Sequence, residues 1–119
     1  MLVEFDNVRQ EPGAGRRRWF DGGAYSLMVW YRPDGARSGF QVVYQAGPEE
    51  HALTWREGEG FRHSRVDTGT ASPLKNLTPI LLPHGTIPWA RMLEEFDQQS
   101  ANLDPDLRAW VRGRLEARA

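Results

Sequence analysis

The sequence predicts an α+β fold: a five-stranded antiparallel β-meander with a C-terminal α-helical hairpin packed on one face. Two observations carry this. Pro33-Asp34-Gly35, Gly47-Pro48-Glu49-Glu50 and Gly58-Glu59-Gly60 are turn signals set between runs rich in Val, Tyr, Trp and Phe. After residue 86 the apolar side chains switch to spacings of three and four, the helical period. A length of 119 residues suits one domain spanning 1–119, large enough to bury a core without staples.

The elements follow in order. Residues 1–15 hold scattered apolar side chains (Leu2, Val3, Phe5, Val8) and end in the loop signal Pro12-Gly13-Ala14-Gly15. Strands are expected at 16–20, turned by Asp21-Gly22-Gly23 into 24–31, and then at 38–46, 51–57 and 61–67. Residues 68–86 contain Pro73, Pro79 and Pro83 and read as a loop around Ile80-Leu81-Leu82, which is pinned to the core. The helical hairpin occupies 87–118. Thr86 can cap its first helix, with Trp89, Met92, Leu93 and Phe96 on the buried stripe and Asn102 as a stop. Asp104 caps the second helix and Pro105 takes its first position. Leu107, Trp110, Val111 and Leu115 form the buried side, while Arg108, Arg112 and Arg118 face water.

Composition narrows the function classes. With no cysteine, disulfides, thiolate metal sites and cysteine catalysis are excluded. A net charge of −1 removes the sequence-independent attraction to nucleic acid that a basic protein has. The run Arg16-Arg17-Arg18-Trp19-Phe20 therefore reads better as an alternating strand than as a nucleic-acid platform. No stretch is apolar enough to span a bilayer, and the N-terminus lacks the pattern of a signal peptide, so a cytoplasmic location without membrane contact is expected.

Turn geometry assigns the faces. Taken together, the three turns put Met28, Trp30, Phe40, Val42, Tyr44, Leu53, Trp55 and Phe61 on one face, the core face to be covered by the helices. The second face then divides. Its early half carries an apolar patch of Trp19, Tyr25, Leu27, Val29 and Tyr31. Either residues 1–12 fold over this patch or it meets a protein partner, a second copy of the chain included. Its late half is polar, with Gln41, Arg56 and Arg62 in one cross-strand row. Such a row calls for a bridging carboxylate, Glu4 or Asp6 being nearest, or for an external small anion.

The chemistry-bearing residues gather at the last hairpin. His51 is expected opposite Asp67, and a carboxylate beside an imidazole orients it as a base or a ligand. His63 and Arg65 point to the core face beside Trp55 and form a candidate small-molecule or anion site with that pair. No metal-ligand spacing, nucleophile elbow or phosphate loop accompanies them, so no catalytic residue, metal or cofactor is assigned. An ordinary hydrogen bond at a sheet margin explains the same residues.

The string Arg-Arg-Arg-Trp-Phe at 16–20 resembles, with other segments, a family of small bacterial conserved hypothetical proteins. Those segments are Val29-Trp30-Tyr31, Gly39-Phe40-Gln41, Ala52-Leu53-Thr54-Trp55-Arg56, Arg65-Val66-Asp67 and Thr78-Pro79-Ile80-Leu81. The resemblance covers most of the chain and implies a bacterial cytoplasmic protein, with no activity to carry over. The leading functional expectation is a non-enzymatic binding or assembly module using the exposed sheet face for a protein partner or homodimer. The alternative is a small-molecule or anion-binding protein, conceivably an enzyme, centred on His51, Trp55, His63, Arg65 and Asp67.

Overall fold

Short glycine turns between aromatic and β-branched runs fold the chain back and forth into one antiparallel sheet. The computed structural model describes residues 1–5, 15–67, 80–83 and 87–117. Its strands are β1 (Val3–Glu4), β2 (Arg17–Asp21), β3 (Ser26–Tyr31), β4 (Arg37–Ala46), β5 (Glu49–Arg56), β6 (Gly60–Asp67) and β7 (Ile80–Pro83). They lie side by side in chain order, each antiparallel to the next. The five expected strands are β2 to β6. The sheet is wider than five because short strands close both edges. Ile80-Leu81-Leu82, expected as a pinned loop segment, pairs with Asp67, Val66 and Arg65 of β6, and Pro83 with Ser64. Pro83 is tolerated there because an edge strand need not donate on its outer side. The rest of the expected 68–86 loop lies outside the described residues.

Two helices follow, α1 (Trp89–Gln99) and α2 (Pro105–Ala117), completing the α+β architecture. The α1 stripe buries Met92 and Phe96, and α2 buries Leu107, Val111 and Leu115. Both stripes pack on one sheet face, around Leu27, Val29, Phe40, Val42, Tyr44 and Leu53. Each fully buried Leu or Phe in this layer contributes about 1.5–3 kcal/mol of transfer free energy. Asp104 caps α2 as expected: its Oδ2 accepts the Leu107 N–H at 3.3 Å. The proposed Thr86 cap lies outside the described residues. Helix α1 ends before the expected Asn102, at Ser100, whose N–H donates to the Phe96 carbonyl. Asn102 has another task. Its Nδ2 donates to the Leu2 carbonyl at 2.6 Å while the Leu2 N–H donates to Gln99 O, tying the N-terminus to the interhelical turn.

The register corrects the expected faces in one strand. Near its turn the β3–β4 hairpin pairs Tyr31 with Arg37, as the Pro33-Asp34-Gly35 turn requires. One step further in, Trp30 pairs with Gly39, so Ser38 is an extra residue on β4. This is a β-bulge, and a shift of one residue exchanges the faces of everything beyond it. Val29 therefore opposes Phe40, where Met28 was expected. Leu27 and Val29 are 0% exposed in the core, Tyr25 is buried with them, and Tyr31 packs partly against it. Met28 and Trp30 move to the helix-free face. The other two hairpins are also tighter than expected, pairing Ala46 with Glu49 and Arg56 with Gly60. Those differences amount to two residues each, an even number, so the faces of β4, β5 and β6 stand as expected.

Candidate functional site

Alternation along each strand builds the helix-free face in rows. One row runs Trp19, Met28, Gln41, Thr54, Arg62, and the next runs Arg17, Trp30, Gly39, Arg56, Gly60. Val3 pairs with Asp21, and Phe5 joins the same edge by donating its N–H to the Trp19 carbonyl. The exposed large apolar residues concentrate here: Val3 is 63%, Phe5 44% and Trp19 40% accessible. The Phe5 and Trp19 rings lie 4.8 Å apart at 59°. Of the five residues expected to form an apolar interface, only Trp19 is on this face. Tyr25, Leu27, Val29 and Tyr31 belong to the helix-covered side, for the bulge reason given above. The patch consists of Trp19 with Val3, Phe5, Met28 and Trp30.

The expected row of Gln41, Arg56 and Arg62 is divided. Gln41 faces Thr54 and donates to its Oγ1 at 2.9 Å. Arg62 adjoins Thr54 and lies 3.6 Å from the Glu59 carboxylate. Arg56 sits one row away, opposite Gly39 and Gly60. With no side chain on Gly39, the Arg56 guanidinium crosses it and lies 4.0 Å from the Trp30 ring centroid. Glu4, expected between the arginines, is on the opposite face. There it accepts two hydrogen bonds from Arg18, each 2.8 Å. Asp6 lies outside the described residues.

A second constellation occupies the helix side at the far end of the last hairpin. His51 opposes Tyr44 on β4 and Arg65 on β6, so the expected pairing with Asp67 is displaced by two residues. His63 opposes Leu53, and its Nε2 is 2.5 Å from the Tyr44 hydroxyl. The Tyr44 and His63 rings stack with centroids 6.0 Å apart, and His51 stands edge-on to both at 5.6 and 5.5 Å. Arg91 lies over Tyr44 at 4.9 Å, donates to the Gln45 carbonyl, and is paired with Glu95. Burial raises the Tyr44 phenol above its ordinary value, opposed by Arg91 and reinforced by Glu95. Tyr44 thus keeps its proton at neutral pH; its hydroxyl donates to His63 Nε2 when that nitrogen is unprotonated and accepts from it when it is protonated. Arg65 pairs with Glu49 at 3.3 Å.

Trp55 is not part of this cluster. It lies in the aromatic core beside Phe40 and Trp110, at 6.1 and 5.7 Å, with the Arg114 guanidinium over its ring. Tyr44 and Arg91 are the members that hairpin reading missed. A two-residue tightening of both turns brings Tyr44 level with His51, and Arg91 arrives from a helix. Among the described residues, no group of three or more His, Asp or Glu side chains is placed to hold a metal ion. No helix among them is long and apolar enough to cross a membrane. No family model, curated protein or solved structure matches the chain.

Proposed function

We propose that the chain is a non-enzymatic binding or assembly module whose helix-free sheet face is its contact surface for protein. The observation that carries this is the asymmetry of the sheet. Both helices cover one face, while the opposite face presents Val3, Phe5 and Trp19 largely accessible beside the half-buried Met28 and Trp30. Adjoining exposed apolar side chains of this size are a mark of interaction surfaces. Tryptophan, methionine and phenylalanine are also the types enriched at interface centres, where a rigid ring buries area at little entropic cost. The Tyr44–His63 cluster has the features of a braced core margin, its arginines being paired with Glu49 and Glu95.

Trp19→Lys tests the reading. A contact surface predicts a folded protein whose melting temperature stays within about 2 °C of wild type, as is usual for surface substitutions. It also predicts loss of concentration-dependent association in sedimentation velocity. A monomeric wild type in which Trp19→Lys lowers the melting temperature by many degrees would show Trp19 to be internal packing, and the reading would fail.

A further inference from the structure

The helix-free face is polarised along its strands. Of its rows, the two that contain Trp30 and Trp19 carry Arg17, Arg56 and Arg62 and no carboxylate. The carboxylates of the face, Asp21 and Glu50, stand in rows toward the other end, where Ala52 and Ser64 are only 0% and 9% exposed. Contact is therefore available at the arginine end and along the β1 edge. The Arg62 side chain is 74% exposed and has Glu59 of the adjoining turn, at 3.6 Å, to offset it. Arg56 is exposed and takes no carboxylate among the described residues, Glu57 beside it being committed to Arg32 at 2.8 Å. Because Arg56 opposes Gly60, Arg56 and Arg62 are diagonal neighbours on paired strands, where like charges repel.

Arg56 is also set in place. Its guanidinium crosses Gly39 and lies 4.0 Å from the Trp30 ring centroid. Stacking engages the flat face of a guanidinium and leaves the N–H donors around its edge, a fork that matches a carboxylate. A fork held before the partner arrives lowers the entropy cost of binding. Two residues along β3 from Trp30 stands Met28, paired with Trp19, whose 40% exposed ring leans on Phe5. That step is about 7 Å, the distance between alternate side chains of an extended chain. One extended segment laid along β3 can thus place a carboxylate on the Arg56 fork and a large apolar side chain on Trp19 and Met28. A nucleic-acid strand fits less well. Bases need open ring faces to stack on, whereas Trp30 already carries the Arg56 guanidinium and Phe5 and Trp19 meet at 59°.

We infer that the occupant of this surface is a protein segment carrying carboxylates beside large apolar side chains, its acid on Arg56 and Arg62 and its apolar residue on Trp19 and Met28. This rests on the contact-surface reading and adds the chemical class of the partner. The probe is a displayed library of random dodecapeptides selected on the wild-type protein. Enriched peptides should carry Asp or Glu within two residues of Phe, Leu or Trp. In calorimetric titration the leading peptide should bind about tenfold more weakly to Arg56→Glu and to Trp19→Lys, each keeping its circular dichroism spectrum. Replacing its acidic residue by Lys should weaken binding to wild type and restore binding to Arg56→Glu, a reversal that misfolding cannot produce. Enriched peptides without acidic bias that still depend on Trp19 overturn the inference and leave the face a contact surface. Peptides that bind both variants as tightly as wild type overturn the inference and the contact-surface reading together. A library from which nothing is enriched also overturns the inference. Oligothymidylate binding that Arg56→Glu abolishes would then assign the surface to nucleic acid, and self-association that Arg56→Glu abolishes would assign it to a second copy.

Discussion

Arg18 grips the Glu4 carboxylate with two hydrogen bonds of 2.8 Å, joining the two-residue edge strand β1 to β2 on the helix-covered side. Arg18 also donates to the Tyr31 hydroxyl at 3.3 Å and lies 5.0 Å from the Phe20 ring centroid. The pair is partly shielded by protein, and a bidentate fork fixes its geometry better than an isolated surface ion pair. It anchors β1 through Glu4, while Val3 of the same strand and Phe5 just beyond it belong to the proposed contact surface.

The Arg18 hydrogen bonds hold the Glu4 carboxyl below the ordinary glutamate value, against the raising effect of burial. A depressed folded-state pKa stabilises at pH above the unfolded value and loses that contribution as pH falls through the folded value. Glu4→Gln should therefore cost on the order of 1 kcal/mol at pH 7 in urea unfolding, the range for a partly exposed bidentate pair. The difference from wild type should vanish at a pH low enough to protonate Glu4. A difference that is equal at pH 7 and pH 3 would mean that the charge of Glu4 contributes nothing.

Gly39 should be intolerant of any side chain. A Cβ placed there would lie 2.5 Å from the Trp55 carbonyl oxygen, a backbone atom held in the β4–β5 ladder, and would also crowd Arg56. Gly39→Ala should destabilise by about 2–3 kcal/mol, because relief requires separating two paired strands. It should also disturb the Arg56–Trp30 stacking, visible as a change in tryptophan fluorescence of the folded protein. An alanine variant as stable as wild type would contradict this packing.

Gly113 predicts the opposite sign. It lies inside α2 on the exposed side, and an added Cβ meets nothing within 4 Å. Gly113→Ala should stabilise by about 0.5–1 kcal/mol through backbone entropy alone. The midpoint of chemical unfolding should rise with the slope unchanged. No gain would place the glycine in a contact that the structure does not contain.

Much of this architecture was legible in local patterns. Turn residues located the five central strands and the helical stripes, and Asp104-Pro105 located the start of α2. The faces of β4 to β6 are legible although both later turns are two residues tighter than the turn residues predict, because alternation repeats every two. Strand β3 is not. Its turn pairs Tyr31 with Arg37 as the sequence suggests, yet Ser38 is squeezed out as a bulge and its carbonyl is taken by the Glu57 N–H of the neighbouring strand. That choice depends on burying Leu27 and Val29 against the helices and on setting Gly39 between Trp30 and Arg56, contacts remote along the chain. It moved Tyr25, Leu27 and Val29 into the core and put Trp30 on the surface. Residue types named His51, His63 and Arg65 as a cluster, but their partners followed from register and helix docking, which supplied Tyr44 and Arg91 in place of Asp67 and Trp55. Periodicity states which side chains alternate; which of the two alternating sets is buried depends on the layer that packs against them.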